Sequence, residues 1–202
     1  MDEKAAALAD PDNRLLWHFP RLRLEGDVIR DAVLAVSGRL NIEGGGPPIY
    51  PPLPKGLDEI QRVQDVNTWE TSPGPDGRKR SIFVFQRRSM NLPLLETFDA
   101  EVHNASCDRR RRSVTAVQPL AMYDGDFVND EARLFAERVR KDVGSNPVDQ
   151  LQHAFLIAYG RPPRATEREK VSGFMAKIAS KEDALVGVCR VLLNANEFIY
   201  LD

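Results

Sequence analysis

One stretch, residues 21–48, constrains the fold of this 202-residue chain more strongly than any other. Its apolar side chains recur at the spacing of one face of an α-helix: Ile29, Val33, Val36 and Leu40. Three glycines and two prolines follow at positions 44–48 and would stop any helix. The sequence therefore predicts a helix over residues 21–40 that buries one face in the core.

Size and composition exclude several classes of protein. A chain of 202 residues suits a single domain that buries a core without disulfides or metals. The formal net charge of -2 argues against a dedicated nucleic-acid binder, which is usually strongly basic. No apolar run approaches the ~20 residues of a transmembrane helix, and the acidic start does not resemble a signal peptide. The two cysteines, Cys107 and Cys189, are expected to be unlinked thiols, with Cys189 in a helix core.

The segments around the predicted helix are less regular. Residues 1–20 suggest a short helix or a linker. Residues 44–80 read as a long Pro- and Gly-rich loop, either a plain surface loop or one used for partner recognition. Residues 81–86, SIFVFQ, are the best strand candidate because they are β-branched and aromatic, although a short buried helix is an alternative.

The second half of the chain reads as a series of helices joined by short loops, which favour antiparallel neighbours. Periodicity and turn residues predict them near 115–123, 127–143, 147–160, 166 onward and 182–195. Thr166 and Glu169 have the spacing of a capping box, which would start the fourth helix. The expected fold is mainly α, with at most a small β element near residues 81–86. We expect one domain over 1–202, in three successive parts: 1–20, 21–143 and 144–202.

Motifs for metal, phosphate or nucleophilic chemistry are weak. Asp99, His103 and Cys107 have the i, i+4, i+8 spacing of three ligands on a helix, but that stretch lacks an apolar face to support one. Ser37 lies in AVSGR and not in a G-x-S-x-G elbow. The glycines at 44–46 lack the lysine that follows in a phosphate-binding loop. We therefore expect no metal site, no catalytic residue of these kinds and no cofactor in this chain.

Charged side chains are expected to organise the architecture rather than a reaction. Glu25 falls on the apolar face of the predicted helix, so burial of that face would cover its carboxylate and require a partner. The hypothesised partner is Arg80, Arg87 or Arg88 beside SIFVFQ, because arginine offers a planar, bidentate fork. The arginine run at 109–112 is expected to be solvated or paired with acids. The candidate structural polar network comprises Glu25, Arg30, Asp31, Arg80, Arg87, Arg88, Asp99, Gln118, Asn196 and Glu197.

Motifs spread along the chain resemble one known family. They read RLEGDVIRDAVLAVSGRLN at 23–41, GGPP at 45–48, RSIFVFQRRS at 80–89, LLETFDA at 94–100, NASC at 104–107, GRPP at 160–163 and LLNANEFIYLD at 192–202. These motifs resemble the planctomycete surface domain one family, and the closing N-x-N-E-F-x-Y-x-D is the most specific. The chain departs from the family pattern where Gln118 precedes Pro119 and where Asp124 stands near an expected asparagine. These two departures count against a polar network that uses this segment.

The resemblance implies an extracytoplasmic or cell-surface protein whose biochemical activity is not established, with this chain as the C-terminal part of a longer polypeptide. It implies other domains of the parent protein as partners, a haem-binding cytochrome c-like module among them; polysaccharide is another candidate partner. Two functions stay open: a non-catalytic structural or interaction module, or a hydrolase-type domain acting on extracellular polysaccharide. The hydrolase requires two carboxylates that face one pocket, drawn from Glu25, Asp31, Glu96 and Asp99.

Overall fold

The computed structural model describes residues 3–19, 21–57, 69–87, 91–101, 108–178 and 180–201. The α-helices in these ranges are α1 Glu3–Ala9, α2 Gly26–Val36, α3 Pro93–Thr97, α4 Val117–Asp124, α5 Asp126–Val143, α6 Pro147–Tyr159, α7 Ala165–Met175, α8 Lys181–Asn194 and α9 Asn196–Ile199. Two short strands, β1 Leu22–Arg23 and β2 Tyr200–Leu201, pair antiparallel. The predicted mainly α fold is confirmed. Within the described ranges, no helix has the length and apolar character needed to cross a membrane.

The main core forms where α5 packs against α8. The predicted apolar stripe of α5, which is Val128, Ala132, Phe135 and Val139, is at most 1% exposed. The facing helix α8 buries Leu185, Val188 and Leu192, which were also predicted to share one face. Cys189 lies in this core as a free thiol, as expected, and burial raises its pKa. Cys107 lies outside the described residues.

Helix α2 is shorter than the predicted helix over 21–40. Its first residue is Gly26, because residues 22–23 are extended and pair with β2 at the other end of the chain. It ends at Val36, after which Gly38 takes a positive φ of 78° that favours glycine. Arg138 of α5 donates to the carbonyl oxygens of Ala35 and Val36 at 2.9 and 2.8 Å. The end of α2 is therefore fixed by a tertiary contact as well as by local sequence.

The segment SIFVFQ does not form the predicted strand. Ser81–Phe83 is a single 3-10 turn, and Val84 forms one isolated parallel bridge with Ile49. Side-chain hydrophobicity does not predict burial in this segment, because the polar Ser81 is buried while the apolar Ile82 is 75% exposed. The reason is tertiary, since the amide of Ser81 donates to the Asp31 carboxylate of α2 at 2.7 Å. The strand predicted at 81–86 is therefore wrong, whereas the expectation of a mainly α fold with little β structure is confirmed; the two-stranded sheet joins residues 22–23 and 200–201.

After residue 144, the boundaries of helix α6 agree with the sequence prediction, whereas the start of helix α7 does not. Helix α6 begins with Pro147 behind the cap of Asn146 and stops before Gly160, which has a positive φ of 69°, as predicted. Helix α7 begins at Ala165, so Thr166 lies inside the helix and is exposed. The capping prediction for Thr166 is wrong. The carboxylate that closes this N-terminus belongs to Glu167, which accepts from the Arg164 amide at 2.7 Å.

Arg161 joins two of the motifs at the C-terminal end. Its guanidinium donates to both carboxylate oxygens of Glu167 at 2.8 Å and to both of Glu197 at 2.6 Å. It also lies over the rings of Phe155 and Tyr159. The arginine of GRPP and the glutamate of NEF thus hold the start of α7 and helix α9 against the end of α6.

This ion cluster predicts an acid-dependent stability term. Hydrogen bonds from Arg161 lower the pKa of Glu167 from 4.5 to about 2. Because the unfolded chain binds this proton more tightly, the stabilisation is complete above pH 4.5 and is lost as the pH falls towards 2. We expect Glu167→Gln to lower the free energy of unfolding by about 1 kcal/mol at pH 7, since the pair is partly solvated, and by almost nothing at pH 2. Urea titrations at both pH values measure the difference.

The control for this prediction is Glu169→Gln, which removes a charge from an exposed position of the same helix. It should change the free energy of unfolding by less than about 0.5 kcal/mol at either pH. A Glu167→Gln effect that stays constant from pH 7 to pH 2 would contradict the proposed linkage to carboxylate ionisation.

Candidate ligand-binding cleft

A cleft of about 530 Å³ lies between the proline-rich loop and helices α2 and α5. One wall consists of residues 51–55 and 71–74 from that loop. The opposite side is formed by α2, by residues 92–94 and by the first turns of α5. Volumes of this size are typical of small-molecule sites in proteins. The long irregular segment predicted at 44–80 therefore contributes one wall of a concave site with a mostly apolar lining.

Aromatic packing and hydrogen bonds hold the proline-rich wall in place. The Trp69 indole donates to the carbonyl oxygen of Pro51 at 2.7 Å. Tyr50 stacks on Phe85 at 4.9 Å between ring centroids and meets Trp69 edge-on at 5.2 Å. The amide of Tyr50 donates to the hydroxyl of Ser72, and the amide of Ser72 donates back to Tyr50, both at 2.9 Å. The two described segments of the wall are thus joined to each other, and the stack of Tyr50 on Phe85 attaches them to the rest of the protein.

Arg30 supports the cleft from beneath and is only 2% exposed. Its guanidinium donates to the carbonyl oxygens of Gly77 and Lys79 at 2.9 and 3.0 Å, and to the Ser81 hydroxyl at 3.2 Å. Burial lowers its pKa to about 10, and the neighbouring Asp31 carboxylate opposes that shift. Arg30 therefore stays charged at neutral pH and fixes residues 77–81 on α2.

Glu131 of α5 lines the cleft and is 4% exposed. One of its oxygens lies 3.2 Å from the Arg39 guanidinium. The other oxygen, Oε2, is buried and has no hydrogen-bond partner among the described residues. Burial raises the pKa of Glu131, although Ser37 and Arg39 act in the opposite direction. An unsatisfied buried carboxylate oxygen is costly, so this group would gain from a donor supplied by a ligand.

The other charged groups of the cleft leave a small excess of positive charge. Arg78 donates to the Gly74 carbonyl oxygen and acts electrostatically on Glu131, and neither Arg78 nor Lys55 forms an ion pair with a carboxylate within the described part of the chain. On the acidic side, Asp130 pairs with Arg133 at 2.7 Å, which leaves Asp126 at the start of α5. The described lining carries four cations, Arg30, Arg39, Lys55 and Arg78, and three carboxylates, Asp126, Asp130 and Glu131, which is an excess of one positive charge.

The partners of Glu25 in the described part of the chain differ from the predicted ones. The Glu25 carboxylate lies 2.8 Å from Arg110 and 3.8 Å from Arg112, both from the arginine run predicted to be solvated or acid-paired. Arg80 pairs instead with Asp31 at 3.3 Å. Arg87 is half-buried at the end of that segment, and Arg88 lies outside the described residues.

The physical reason is that Glu25 precedes the first turn of α2 and is 35% exposed, so it is not covered by the core. A pair exposed to this extent contributes about 1 kcal/mol or less. The predicted loss of about 3–5 kcal/mol on removal of a buried pair does not apply to it. The predicted role of Glu25 was to dock the segment around SIFVFQ on α2, and the contacts that hold the start of this segment, residues 77–81, come from Arg30 and Asp31.

Asp99 anchors a separate polar cluster. It accepts from Arg23 at 2.5 Å and from both the amide and the hydroxyl of Ser113 at 2.7 Å. Although burial opposes the shift, Ser113 and Arg23 lower the pKa of Asp99. The buried Gln118 donates to the carbonyl oxygens of Thr97 and Ser113 at 3.1 and 3.2 Å. Pro119 lies in the first turn of α4, where proline is tolerated, so the departure from the family pattern leaves these bonds intact.

The remaining predicted residues lie in distinct places. Glu197 belongs to the Arg161 cluster, and Asn196 is exposed at the start of α9. The described members of the predicted network therefore fall into several clusters. Of the weak metal motif, Asp99 is bound to Arg23, and His103 and Cys107 lie outside the described residues. In the ranges that the structure describes, no group of three potential metal ligands occurs.

Sequence reasoning missed Glu131, although a signal for it was present. It lies three residues after Val128 and four before Phe135, so it occupies the apolar face of α5. A charged residue on a buried helix face requires a partner or a ligand. Arg39, which supplies that partner, follows the end of α2 and carries no pattern of its own.

The described residues form a mainly α domain with a cleft walled by a proline-rich loop. Residues 1–175 match the family model of PSD1, described as a protein of unknown function (DUF1553). Because the match covers more than half of the chain, this protein belongs to the PSD1 family. We found no significant match among curated proteins or among solved structures.

Proposed function

We propose that this chain is a non-catalytic interaction module of a multidomain protein. The observation that carries the proposal is the placement of carboxylates in the cleft: Asp126, Asp130 and Glu131 all come from α5. The described proline-rich wall opposite, residues 51–55 and 71–74, contains no carboxylate. Glycoside hydrolysis needs two carboxyl groups on either side of the scissile bond. The described lining of the cleft is suited to holding a ligand and does not place carboxylates on two opposite walls.

The carboxylates first considered for a hydrolase also serve other roles. Asp31 binds the Ser81 amide and Arg80, and Glu25 binds Arg110. Asp99 lines the same groove as Glu25, but its pKa is lowered, whereas a general acid needs a raised one. Glu96 is exposed on α3. These contacts favour the interaction role over a hydrolase acting on polysaccharide.

The proposed setting is an extracytoplasmic protein of the planctomycete type, in which this domain is joined to others. Its support is membership of PSD1, together with the motif resemblance that runs from residue 23 to residue 202. The proposed partners are the other domains of the parent protein, a haem-binding module among them, and polysaccharide. We propose no cofactor and no nucleic-acid partner for this chain.

The test combines binding with a search for turnover. The protein is titrated calorimetrically with neutral and anionic oligosaccharides and with the haem-binding module of the parent protein, and each saccharide mixture is then assayed for new reducing ends. We expect binding to at least one ligand and no release of reducing ends. The matched variant Asp126→Asn/Glu131→Gln controls for contaminating hydrolases.

Two outcomes would contradict the proposed function. Reducing ends released by the unmodified protein but not by the double variant would show that the cleft is catalytic. Absence of binding to every saccharide and to the haem-binding module would remove the interaction role.

A further inference from the structure

We propose that the cleft binds an anionic saccharide, meaning a sugar that carries a carboxylate or a sulfate ester beside free hydroxyl groups. This inference rests on the proposed interaction function, because it names the ligand class for the same cleft. Three properties of the described cleft support it: an apolar wall, an unsatisfied acceptor and a surplus of cations.

The apolar wall suits the C–H face of a sugar ring. Pro52, Pro54 and Leu53 come from the proline-rich loop, and Leu92 and Phe127 approach from the other side. Hydrogen bonds of Pro51 and Tyr50 join the two segments of the wall to each other, and the stack of Tyr50 on Phe85 attaches them to the rest of the protein, so the surface is largely pre-formed. A pre-formed apolar surface lowers the entropy cost of binding. The volume of about 530 Å³ accommodates a ligand of one to two sugar rings.

Glu131 Oε2 provides the unsatisfied acceptor. It is buried at the cleft and lacks a donor among the described residues. The nearby guanidinium groups of Arg39 and Arg78 act favourably on this carboxylate, so a second cation is not needed to neutralise it. A ligand hydroxyl supplies the missing hydrogen bond without adding charge. This favours a hydroxylated ligand over a basic side chain.

The cations that line the cleft determine where the negative group of the ligand binds. Arg78 and Lys55 line the cleft without forming an ion pair with a carboxylate in the described part of the chain, and Arg39 is 31% exposed at its edge. Guanidinium groups bind carboxylate and sulfate oxygens through charge-assisted hydrogen bonds. The carboxylates of Asp126, Asp130 and Glu131 oppose them, and one positive charge remains in excess in the described lining. A ligand with one negative group per sugar matches this balance, whereas an acidic peptide brings additional carboxylates towards Asp126 and Glu131 and lacks hydroxyl groups.

Calorimetric titration at low and physiological salt tests the proposal with four probes: a galacturonate trisaccharide, a sulfated galactose trisaccharide, a neutral galactose trisaccharide and a glutamate-rich peptide. We expect at least one anionic trisaccharide to bind about tenfold or more tightly than the neutral one, as one charge-assisted hydrogen bond would give. The galacturonate and sulfate probes distinguish the two sources of negative charge. The preference should weaken at higher salt.

Variants locate the binding in the cleft. Arg78→Gln should weaken anionic binding by about tenfold, while Arg78→Lys should retain most of it. Lys55→Gln provides a second exposed test that does not threaten folding. The matched control is Arg80→Gln, because Arg80 is an exposed arginine that binds Asp31 and does not line the cleft. It should leave the affinity unchanged, and circular dichroism checks that each variant is folded.

The possible outcomes test the ligand class and the proposed function separately. Equal affinity for the neutral trisaccharide, tighter binding of the peptide, or binding of the haem-binding module alone overturns the anionic saccharide and leaves the interaction module standing. Anionic binding that neither Arg78→Gln nor Lys55→Gln weakens overturns the assignment to this cleft. Cleavage of any trisaccharide that is lost in Asp126→Asn/Glu131→Gln overturns the non-catalytic function itself.

Discussion

Replacing Arg30 with alanine is expected to lower the free energy of unfolding by about 3–5 kcal/mol, as when one partner of a buried charged cluster is removed. The side chain is 2% exposed and donates to Gly77, Lys79 and Ser81. Alanine leaves these buried acceptors without their donors and removes the compensating charge near Asp31 and Glu131. Urea denaturation followed by circular dichroism measures the loss.

The control is Arg80→Ala, which removes an arginine from the same Asp31 cluster at a position 60% exposed. It should cost about 1 kcal/mol or less. Arg30→Met keeps much of the apolar stem and separates packing from hydrogen bonding, and it should remain strongly destabilising. An Arg30→Met variant as stable as the unmodified protein would show that the guanidinium does not hold residues 77–81 in place.

Replacing Phe135 with alanine is the second prediction with a large effect, about 3–5 kcal/mol of lost stability. Phe135 is fully buried in α5, where this helix packs against α8. The cost combines the lost transfer of the ring from water with the cavity that remains, because surrounding helices relax only in part. The denaturation midpoint should fall without a large change in the slope of the transition.

Phe174→Ala is the matched control for that experiment. Phe174 lies on α7 and is 42% exposed, although its ring approaches Gly187. The same deletion there removes less buried area and should cost about 1 kcal/mol. Equal losses at Phe135 and Phe174 would contradict the placement of the main core between α5 and α8.

The sequence predicted the helices whose signals are local. The stripe of α5 and the face of α8 are repeated at helical spacing, and the burial of their apolar residues follows from that period alone. Helix α6 begins at Pro147 and stops before Gly160, because proline suits the first turn and glycine tolerates the left-handed exit. The proline-rich loop was also predicted from composition, but the cleft that it lines was not.

Other features depend on residues that are distant along the chain. The start of α2 is set by pairing between Leu22 and Leu201, which no local period indicates. The segment SIFVFQ has strand-like residues, yet Arg30 and Asp31 hold its start in a 3-10 turn. A hydrogen bond to a buried charged group outweighs a β propensity of less than about 1 kcal/mol per residue.

The ion pairs show most clearly which features the sequence determined and which required the tertiary structure. The sequence by itself determined that a mainly α domain would form, since helical periodicity and chain breakers are properties of neighbouring residues. It offered Glu25 several arginines that were chemically alike, and only the tertiary structure brought Arg110 to it and Arg80 to Asp31. In the same way, the fold placed Glu131 against Arg39 beneath the proline-rich wall. The sequence determines the charge and the hydrogen-bonding capacity of each side chain. Packing determines the distances between these groups and therefore which of them pair.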